Sequence, residues 1–361
     1  MGHRRASHDD LRTRLSLTLW AIAATLTGCS DEPALPPVAW ESDVLRVRVE
    51  DPTTVICEGS FEAIERHATL VRDVLALDGR DRILDYSVVE PDSIGQWCSS
   101  TSTACTHSPP GQVFTATPVL LHEVTHAVRI LNPDTRLLSP ALEEGMAVLY
   151  GDEVFRAQTP PLMAESLLQE QIVTVDQYLR TGLLTNILVQ RHGLDDFMRF
   201  DRLAATTPED EAFAEVFGET KDQFAQAADD HEACAPQQWR EPLLECDDAP
   251  VMPDPATGRI VLTGNLSCGD PQVVGPTFSW MTTTRHFRVL ESHSSPGHRV
   301  DVPRGTTVEL VGCQAGCPER YYYDYFAGPV RGYFPTLEPG DYVVRLTRPV
   351  ADDAGPFTLE L

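Results

Sequence analysis

The stretch that decides the fold reads Leu120-Leu121-His122-Glu123-Val124-Thr125-His126-Ala127-Val128. Residues four apart on an α-helix lie on one face, so His122 and His126 can aim imidazole nitrogens at a single metal ion. Glu123 is rotated by about 100° around the helix axis, which places its carboxylate beside the open coordination position. There it can act as a base toward a water whose pKa a zinc ion lowers to roughly 7. The stretch therefore predicts a helix that carries a catalytic zinc site.

The flanks of this motif favour a buried helix. Thr117-Pro118 places a proline at a tolerated N-terminal position, apolar residues surround the two histidines, and Asn132-Pro133 ends the run. The pattern predicts about three to four helical turns.

A catalytic zinc site usually has three protein ligands and one exchangeable water, so a third donor is required downstream. Two adjacent carboxylates, Glu143 and Glu144, stand on a second predicted helix that starts after Ser139-Pro140 and runs through Tyr150. Adjacent side chains on a helix cannot face the same way. We expect one carboxylate to reach the metal and the other to face the cleft or solvent.

The two helices together resemble a known family. A helix with His-Glu-x-x-His, a short connection and a second helix reading Leu-x-Glu-Gly-x-Ala are similar to the gluzincin metallopeptidases, particularly the peptidase MA-like group. In that family the glutamate directly before the glycine is the third zinc ligand. The resemblance thus implies Glu144 as the ligand, Glu143 as a variable position, and hydrolysis of peptide bonds with Glu123 as the base. It covers the two helices closely and residues 45–233 loosely.

The resemblance also implies a zincin-like domain, built of a small antiparallel sheet plus helices. Some gluzincins steady the oxyanion with a histidine or tyrosine, but no motif here identifies that residue. Tyr150 and His192 are the two candidates.

The metzincin pattern is excluded, whereas other interpretations stay open. Metzincins have a glycine three positions after the second histidine and a histidine three residues later, whereas this chain has Arg129 and Asn132. The histidines could instead be ordinary buried polar groups of a helix. A noncatalytic surface lipoprotein with a binding role and a zinc hydrolase of a non-peptide bond are also compatible with the motif.

The charge of the chain excludes one class of partner. The 54 acidic and 28 basic residues give a net charge of -26, so nucleic-acid phosphates would be repelled. We expect a peptide or protein substrate and no nucleic acid.

The N-terminus is predicted to direct export. Four arginines precede an apolar run from Leu15 to Thr27, which is too short to span a bilayer comfortably and is typical of a secretory signal. The run ends in Leu26-Thr27-Gly28-Cys29, which resembles a bacterial lipobox. That resemblance implies a signal peptide over residues 1–28, acylation of Cys29, and a lipid anchor in the cell envelope. Ser30 favours the outer membrane.

Eight of the nine cysteines remain after Cys29 is set aside, and an even number suits disulfides in an oxidising compartment. Eight cysteines can form disulfides in many combinations, and we favour those between cysteines that are close in sequence. The predicted pairs are Cys98 with Cys105, Cys234 with Cys246, and Cys313 with Cys317, which leaves Cys57 and Cys268.

Composition and periodicity predict the organisation of the first two thirds of the chain. Residues 29–42 form a tether and residues 43–235 a peptidase-like domain, in which strands, one amphipathic helix and the motif helices are followed by a helical lobe with breaks at Gly182, Gly193 and Pro208. The loop with Trp97, Cys98, Cys105 and His107 is a candidate cleft wall beside a sheet edge.

The last third differs in composition. Residues 236–256 are rich in proline and acid and read as a linker, and residues 257–361 contain about seven short strand-like runs that suggest an all-β sandwich. The tyrosines between residues 321 and 325 are either a binding surface or cross-strand packing. The whole chain is thus predicted as α+β.

Overall fold

The computed structural model describes residues 33–77, 82–99, 102–107, 111–132, 135, 138–151, 161–170, 173–231, 239–291, 299–313, 322–326, 330–331, 337–352 and 355–361. The predicted signal peptide and Cys29 lie outside these residues. Packing divides the chain into a unit of residues 1–35 and a unit of residues 36–361, and all the elements below belong to the second unit. Within the described residues, no helix has the length and apolar content needed to cross a membrane.

The first sheet has a parallel centre and antiparallel edges. Its strands are β1 (Val38–Glu41), β2 (Leu45–Val49), β3 (Leu84–Val88), β4 (Ala104–His107) and β5 (Gln112–Thr115), in the order β1-β2-β3-β5-β4. Strands β2, β3 and β5 run parallel, while β1 and β4 pair antiparallel with their neighbours. The predicted antiparallel sheet is therefore wrong, because helix α1 (Ser60–Val74) supplies the crossover that lets β3 run parallel to β2.

The position of strand β1 and the start of the motif helix differ from the predictions made from the sequence. Strand β1 lies inside the stretch predicted as a tether, since its backbone pairs with β2. The motif helix begins at Leu121 rather than at Pro118, because residue 120 still has extended backbone and donates its N–H to the Tyr86 hydroxyl at 3.0 Å.

Further helices pack with the first sheet around one apolar core. They are α2 (Leu121–Leu131), α3 (Pro140–Tyr150), α4 (Ala164–Gln169), α5 (Tyr178–His192), α6 (Leu194–Ala204), α7 (Glu209–Phe217), α8 (Lys221–Asp229) and α9 (Leu243–Cys246). The predicted break at Gly182 is wrong, because this glycine lies inside α5. A β-carbon there would lie 2.5 Å from the Trp239 ring and 2.7 Å from Val148, so the glycine serves close packing.

Two more sheets are built by the C-terminal residues. Their strands are β6 (Val261–Leu266), β7 (Val274–Thr277), β8 (Trp280–Val289), β9 (Arg299–Asp301), β10 (Thr307–Gly312), β11 (Tyr322–Phe326), β12 (Val330–Arg331), β13 (Gly340–Pro349) and β14 (Gly355–Glu360). The strand orders are β11-β10-β13-β8-β7 and β12-β9-β14-β6, and buried residues of both sheets share a second apolar core. The mixed α+β class is confirmed. The side chains of the predicted tyrosine group lie outside the described residues.

Two of the disulfides among the described residues join distant parts of the chain, and one closes a short loop. Cys98–Cys105 and Cys57–Cys268 form as expected. The predicted pairs of Cys246 with Cys234 and of Cys313 with Cys317 are wrong, because Cys246 bonds to Cys313. Strand β10 leads the chain back toward α9, so Cys313 meets Cys246 although the two cysteines are far apart in sequence. Cys234 and Cys317 lie outside the described residues.

Several residues of the predicted linker are packed. Trp239 is fully buried in the first core. Glu245 of α9 accepts two hydrogen bonds, at 2.6 and 2.7 Å, from the Arg345 guanidinium of β13. This segment is thus held against both the helices and the C-terminal sheets.

Candidate metal centre

Three side chains converge between α2 and α3. The Nε2 atom of His122 lies 3.2 Å from the Nε2 atom of His126 and 3.1 Å from Oε2 of Glu144. The distance from His126 Nε2 to Glu144 Oε2 is 3.4 Å. These are the residues that the sequence predicts as ligands, and their donor atoms form a cluster that could hold a metal ion.

The separations suit one small cation. Donors of a tetrahedral metal with bonds of about 2.0–2.2 Å lie about 3.3–3.6 Å apart. The three observed distances fall at or just below that range, so an ion between the donors needs only small movements of the side chains. His122 and His126 are buried, whereas 24% of the Glu144 side chain is exposed, so the cluster is open on the carboxylate side.

Glycines bring the elements of the site close together. A β-carbon on Gly145 would lie 2.0 Å from Thr185 Oγ1 and 2.5 Å from the Thr181 carbonyl oxygen, so only glycine lets α3 approach α5 this closely. A β-carbon on Gly151, at the end of α3, would lie 2.6 Å from the Cα atom of His122. The glycine of the Glu-Gly motif thus fixes the position of the helix from which Glu144 projects.

Glu143 differs from its expected role. It was predicted to face the cleft or solvent, but it is buried at 8% exposure. Its Oε2 atom accepts hydrogen bonds from Arg129 at 2.5 Å and from the Leu138 N–H at 3.2 Å, and its Oε1 atom lies 3.4 Å from Nδ1 of His126. The prediction is wrong because α3 faces the end of α2, where the Arg129 guanidinium provides a buried partner.

Proximity shifts the acidities of this cluster. Burial opposes ionisation of His126, but hydrogen bonds to Glu143 and Glu144 raise its pKa well above the ordinary value. Burial would also raise the pKa of Glu143, yet the charge of Arg129 and the bond to His126 lower it to about 2. The pKa of Glu144 is lowered well below its ordinary value, because the bonds to His122 and His126 outweigh burial. Both carboxylates are therefore anionic at neutral pH, which favours cation binding.

Glu123 is held beside the cluster by the first sheet. The Thr106 hydroxyl on β4 donates a hydrogen bond of 2.7 Å to Oε2 of Glu123. The same hydroxyl lies 3.2 Å from the carbonyl oxygen of Glu123. Glu123 is 9% exposed, and it does not belong to the group of converging donor atoms. Glu123 is thus held near the cluster without belonging to it.

An aromatic residue that the sequence did not single out lies against the site. The Tyr178 ring, at the start of α5, stacks on His122 with 5.0 Å between ring centroids and 13° between planes. The two candidates from the sequence make other contacts. Tyr150 is buried, and His192 lies 2.8 Å from Glu219 and packs against Phe217. Nothing in the sequence around Tyr178 indicated this contact with His122.

The predicted cleft wall is built on the edge of the first sheet. Strand β4 is an edge strand that packs beside α2. The Cys98–Cys105 disulfide joins it to the preceding loop, where Trp97 stacks on Phe114 at 4.4 Å. His107 lies 2.6 Å from the Trp97 carbonyl oxygen. The loop is therefore fixed to the strand that carries Thr106.

No protein-family model matches the chain, and no curated protein is significantly similar to it.

Proposed function

We propose that this protein is a zinc metallopeptidase of the gluzincin type, anchored by lipid at Cys29 in the cell envelope. The observation that carries the proposal is the convergence of His122, His126 and Glu144 at separations of 3.1–3.4 Å, with the Glu123 carboxylate fixed beside them. In this proposal residues 43–235 form a zincin-like domain, and residues 257–361 a β-sandwich whose two sheets enclose the second core.

The donor set supports zinc over other common metals. Two imidazole nitrogens and one carboxylate oxygen are typical of catalytic zinc sites, whereas calcium and magnesium prefer sites built only of oxygen. A bound zinc ion would polarise a substrate carbonyl and lower the pKa of a water in its fourth position. The open side at Glu144 is consistent with such a fourth position.

The chain's own residues supply the remaining chemistry. Glu123 takes the proton of the attacking water and later delivers it to the leaving amine. Thr106 holds Oε2 of Glu123 at 2.7 Å, which leaves the other carboxylate oxygen for the proton. Tyr178 covers one face of His122 and keeps its ring in a fixed orientation.

Metal binding is tested first. Purified protein is expected to bind one zinc ion per chain, measured by elemental analysis and chelator competition. Glu144→Ala should weaken binding by roughly a hundredfold or more, because one of three protein ligands is lost. The matched control is Glu165→Ala, which removes an exposed carboxylate of α4 and should bind as the unmodified protein does. Absence of stoichiometric zinc would instead support a noncatalytic binding protein.

Peptide cleavage is tested second. The protein is incubated with a library of proteome-derived peptides, with and without chelator, alongside Glu123→Gln. We expect cleavage only without chelator, and none by Glu123→Gln although that variant still binds zinc. Full cleavage by Glu123→Gln would contradict the role of the base. Zinc binding without any cleavage would favour hydrolysis of a non-peptide bond.

A further inference from the structure

A chain of buried charged groups runs from the metal centre into the helical lobe. The Arg129 guanidinium, on the last turn of α2, bonds to Glu143 of α3 at 2.5 Å and to Asp201 of α6 at 3.0 Å. Arg129 is 2% exposed and Asp201 is fully buried. Glu143 in turn faces Nδ1 of His126, the ring nitrogen opposite the one that points at the metal site. Helices α2, α3 and α6 thus meet at the Arg129 guanidinium, which lies behind the proposed ligand His126.

Packing alone does not account for this arrangement. Moving charges out of water has a large free-energy cost, and apolar side chains of similar volume often stabilise a core equally well. The hydrogen bonding is also incomplete, because Arg129 Nε and Asp201 Oδ2 are buried without a hydrogen-bond partner among the described residues. Stability alone therefore gives no reason for placing these charged groups behind His126.

The position of Glu143 determines what His126 can do. An imidazole binds a metal through Nε2 only when its proton is on Nδ1, and an acceptor at Nδ1 stabilises that tautomer. Oε1 of Glu143 is such an acceptor, at 3.4 Å. Arg129 and the Leu138 N–H hold the other oxygen, Oε2, so that Oε1 stays directed at His126.

We propose that Arg129, Glu143 and Asp201 are positioning residues of the metal site, which fix the ring orientation and tautomer of His126 and so raise the affinity for zinc. Asp201 acts through Arg129, because it balances the guanidinium charge from the far side. The helical lobe thereby contributes to metal binding although it provides no ligand. The inference rests on the proposed metal site but not on peptide cleavage.

Glu143→Gln is the informative substitution. Arg129 and the Leu138 N–H are donors, so the amide oxygen must take the place of Oε2, and the amide N–H group then faces Nδ1 of His126. This favours the tautomer with the proton on Nε2, which cannot bind the metal. Loss of such an outer partner typically lowers metal affinity by about 10- to 100-fold, and we expect Glu143→Gln to fall in that range. Arg129→Met should weaken zinc binding in the same direction.

A second buried pair provides the control. Glu245 and Arg345 are also buried and doubly hydrogen-bonded, but they belong to the packing of α9 on β13. Glu245→Gln removes the same charge from a comparable environment. We expect this variant to bind zinc with unchanged affinity, even where it lowers the melting temperature of the metal-free protein.

The measurement is competition for Zn²⁺ between the purified chain and a chromophoric chelator, well below the melting temperature of each metal-free variant. A purely structural role for the array would lower the melting temperature of Glu143→Gln and leave its zinc affinity within about twofold of the unmodified protein, which would overturn the inference. Should Glu143→Gln fail to fold, Asp201→Asn provides the same test, with a loss of at least about threefold expected. If the unmodified protein binds no zinc, the proposed function itself fails.

Discussion

At the scale of single residues, two carboxylates lie at the candidate metal site and a third lies behind it. Glu144 reaches the two Nε2 atoms, and Glu123 lies beside them under the Thr106 hydroxyl. Glu143 faces the opposite nitrogen of His126. The helix face on which each carboxylate lies and the residue that it contacts thus determine what that carboxylate can do chemically.

The first prediction concerns Thr106. Thr106→Val keeps the shape of the side chain but removes the hydrogen bond to Glu123, so the proposed base loses its fixed orientation. We expect kcat for peptide cleavage to fall by about tenfold, which is a part of the roughly 100- to 10,000-fold that a positioned base contributes, while zinc affinity is unchanged. Thr106→Ser, which retains the hydroxyl, is the control. Equal rates for the valine and serine variants would show that the hydrogen bond has no catalytic effect.

The second prediction concerns pH. In the metal-free protein the pKa of His126 is raised, so a proton occupies the ring up to higher pH than in a free histidine, and zinc must displace it. Below that raised pKa, apparent affinity should fall as pH falls, by up to about tenfold per pH unit for each proton displaced. Above it, affinity should level off. Calorimetry in buffers of different ionisation enthalpy counts the protons released; binding without proton release near pH 7 would contradict the assignment.

At the scale of elements, α3 is the part that the site depends on most. It contacts α2 on one side and α5 on the other, and Gly145 permits the second contact. The first sheet contributes in a different way, because its edge strand β4 carries Thr106 and is joined by a disulfide to the preceding loop.

The third prediction tests the contact of α3 with α5. Gly145→Ala would place a methyl group 2.0 Å from Thr185 Oγ1 and 2.5 Å from a backbone oxygen, so α3 must shift. Overpacking of this kind costs about 1–3 kcal/mol of unfolding free energy, and zinc affinity should fall because Glu144 moves with the helix. Gly95→Ala is the control, since its β-carbon would have no neighbour within 4 Å. Urea unfolding and chelator competition measure the two effects.

At the scale of the whole described molecule, the C-terminal sheets are joined closely to the residues that lead into the helices. Cys57 bonds to Cys268 across 211 residues of sequence. The Ser60 hydroxyl donates to the Gly275 carbonyl at 2.9 Å, and the Val119 N–H, just before the motif helix, donates to the Pro276 carbonyl at 3.1 Å. The sheets thus support both α1 and the entry to α2.

The fourth prediction concerns this connection. Replacing both Cys57 and Cys268 by serine releases a long loop, and in the chain-entropy view this costs about 5 kcal/mol of unfolding free energy. Replacing Cys98 and Cys105, which are separated by 7 residues, should cost less, about 2 kcal/mol. Denaturant unfolding under non-reducing conditions compares the two variants. A larger loss from the short loop would contradict the loop-length argument.

Local patterns were sufficient to predict much of this structure. The four-residue spacing of His122 and His126 follows from helix geometry alone, and periodicity located strands and helices whose buried faces are visible in the sequence. The break at Gly182 and the pairing of Cys246 were predicted wrongly for a common reason, because each depends on a partner far away in the sequence. A glycine that ends a helix and a glycine that packs under a tryptophan look alike until that partner is known.

The sequence by itself determined the donor types, the two motif helices and the mixed α+β class, because each depends on interactions between residues close along the chain. Only the tertiary structure decided that Glu143 is buried against Arg129 and Asp201, that Thr106 holds Glu123, and that Tyr178 stacks on His122. These contacts join residues 14 to 72 positions apart. Their formation depends on how helices cross and how strands order, which no local pattern encodes.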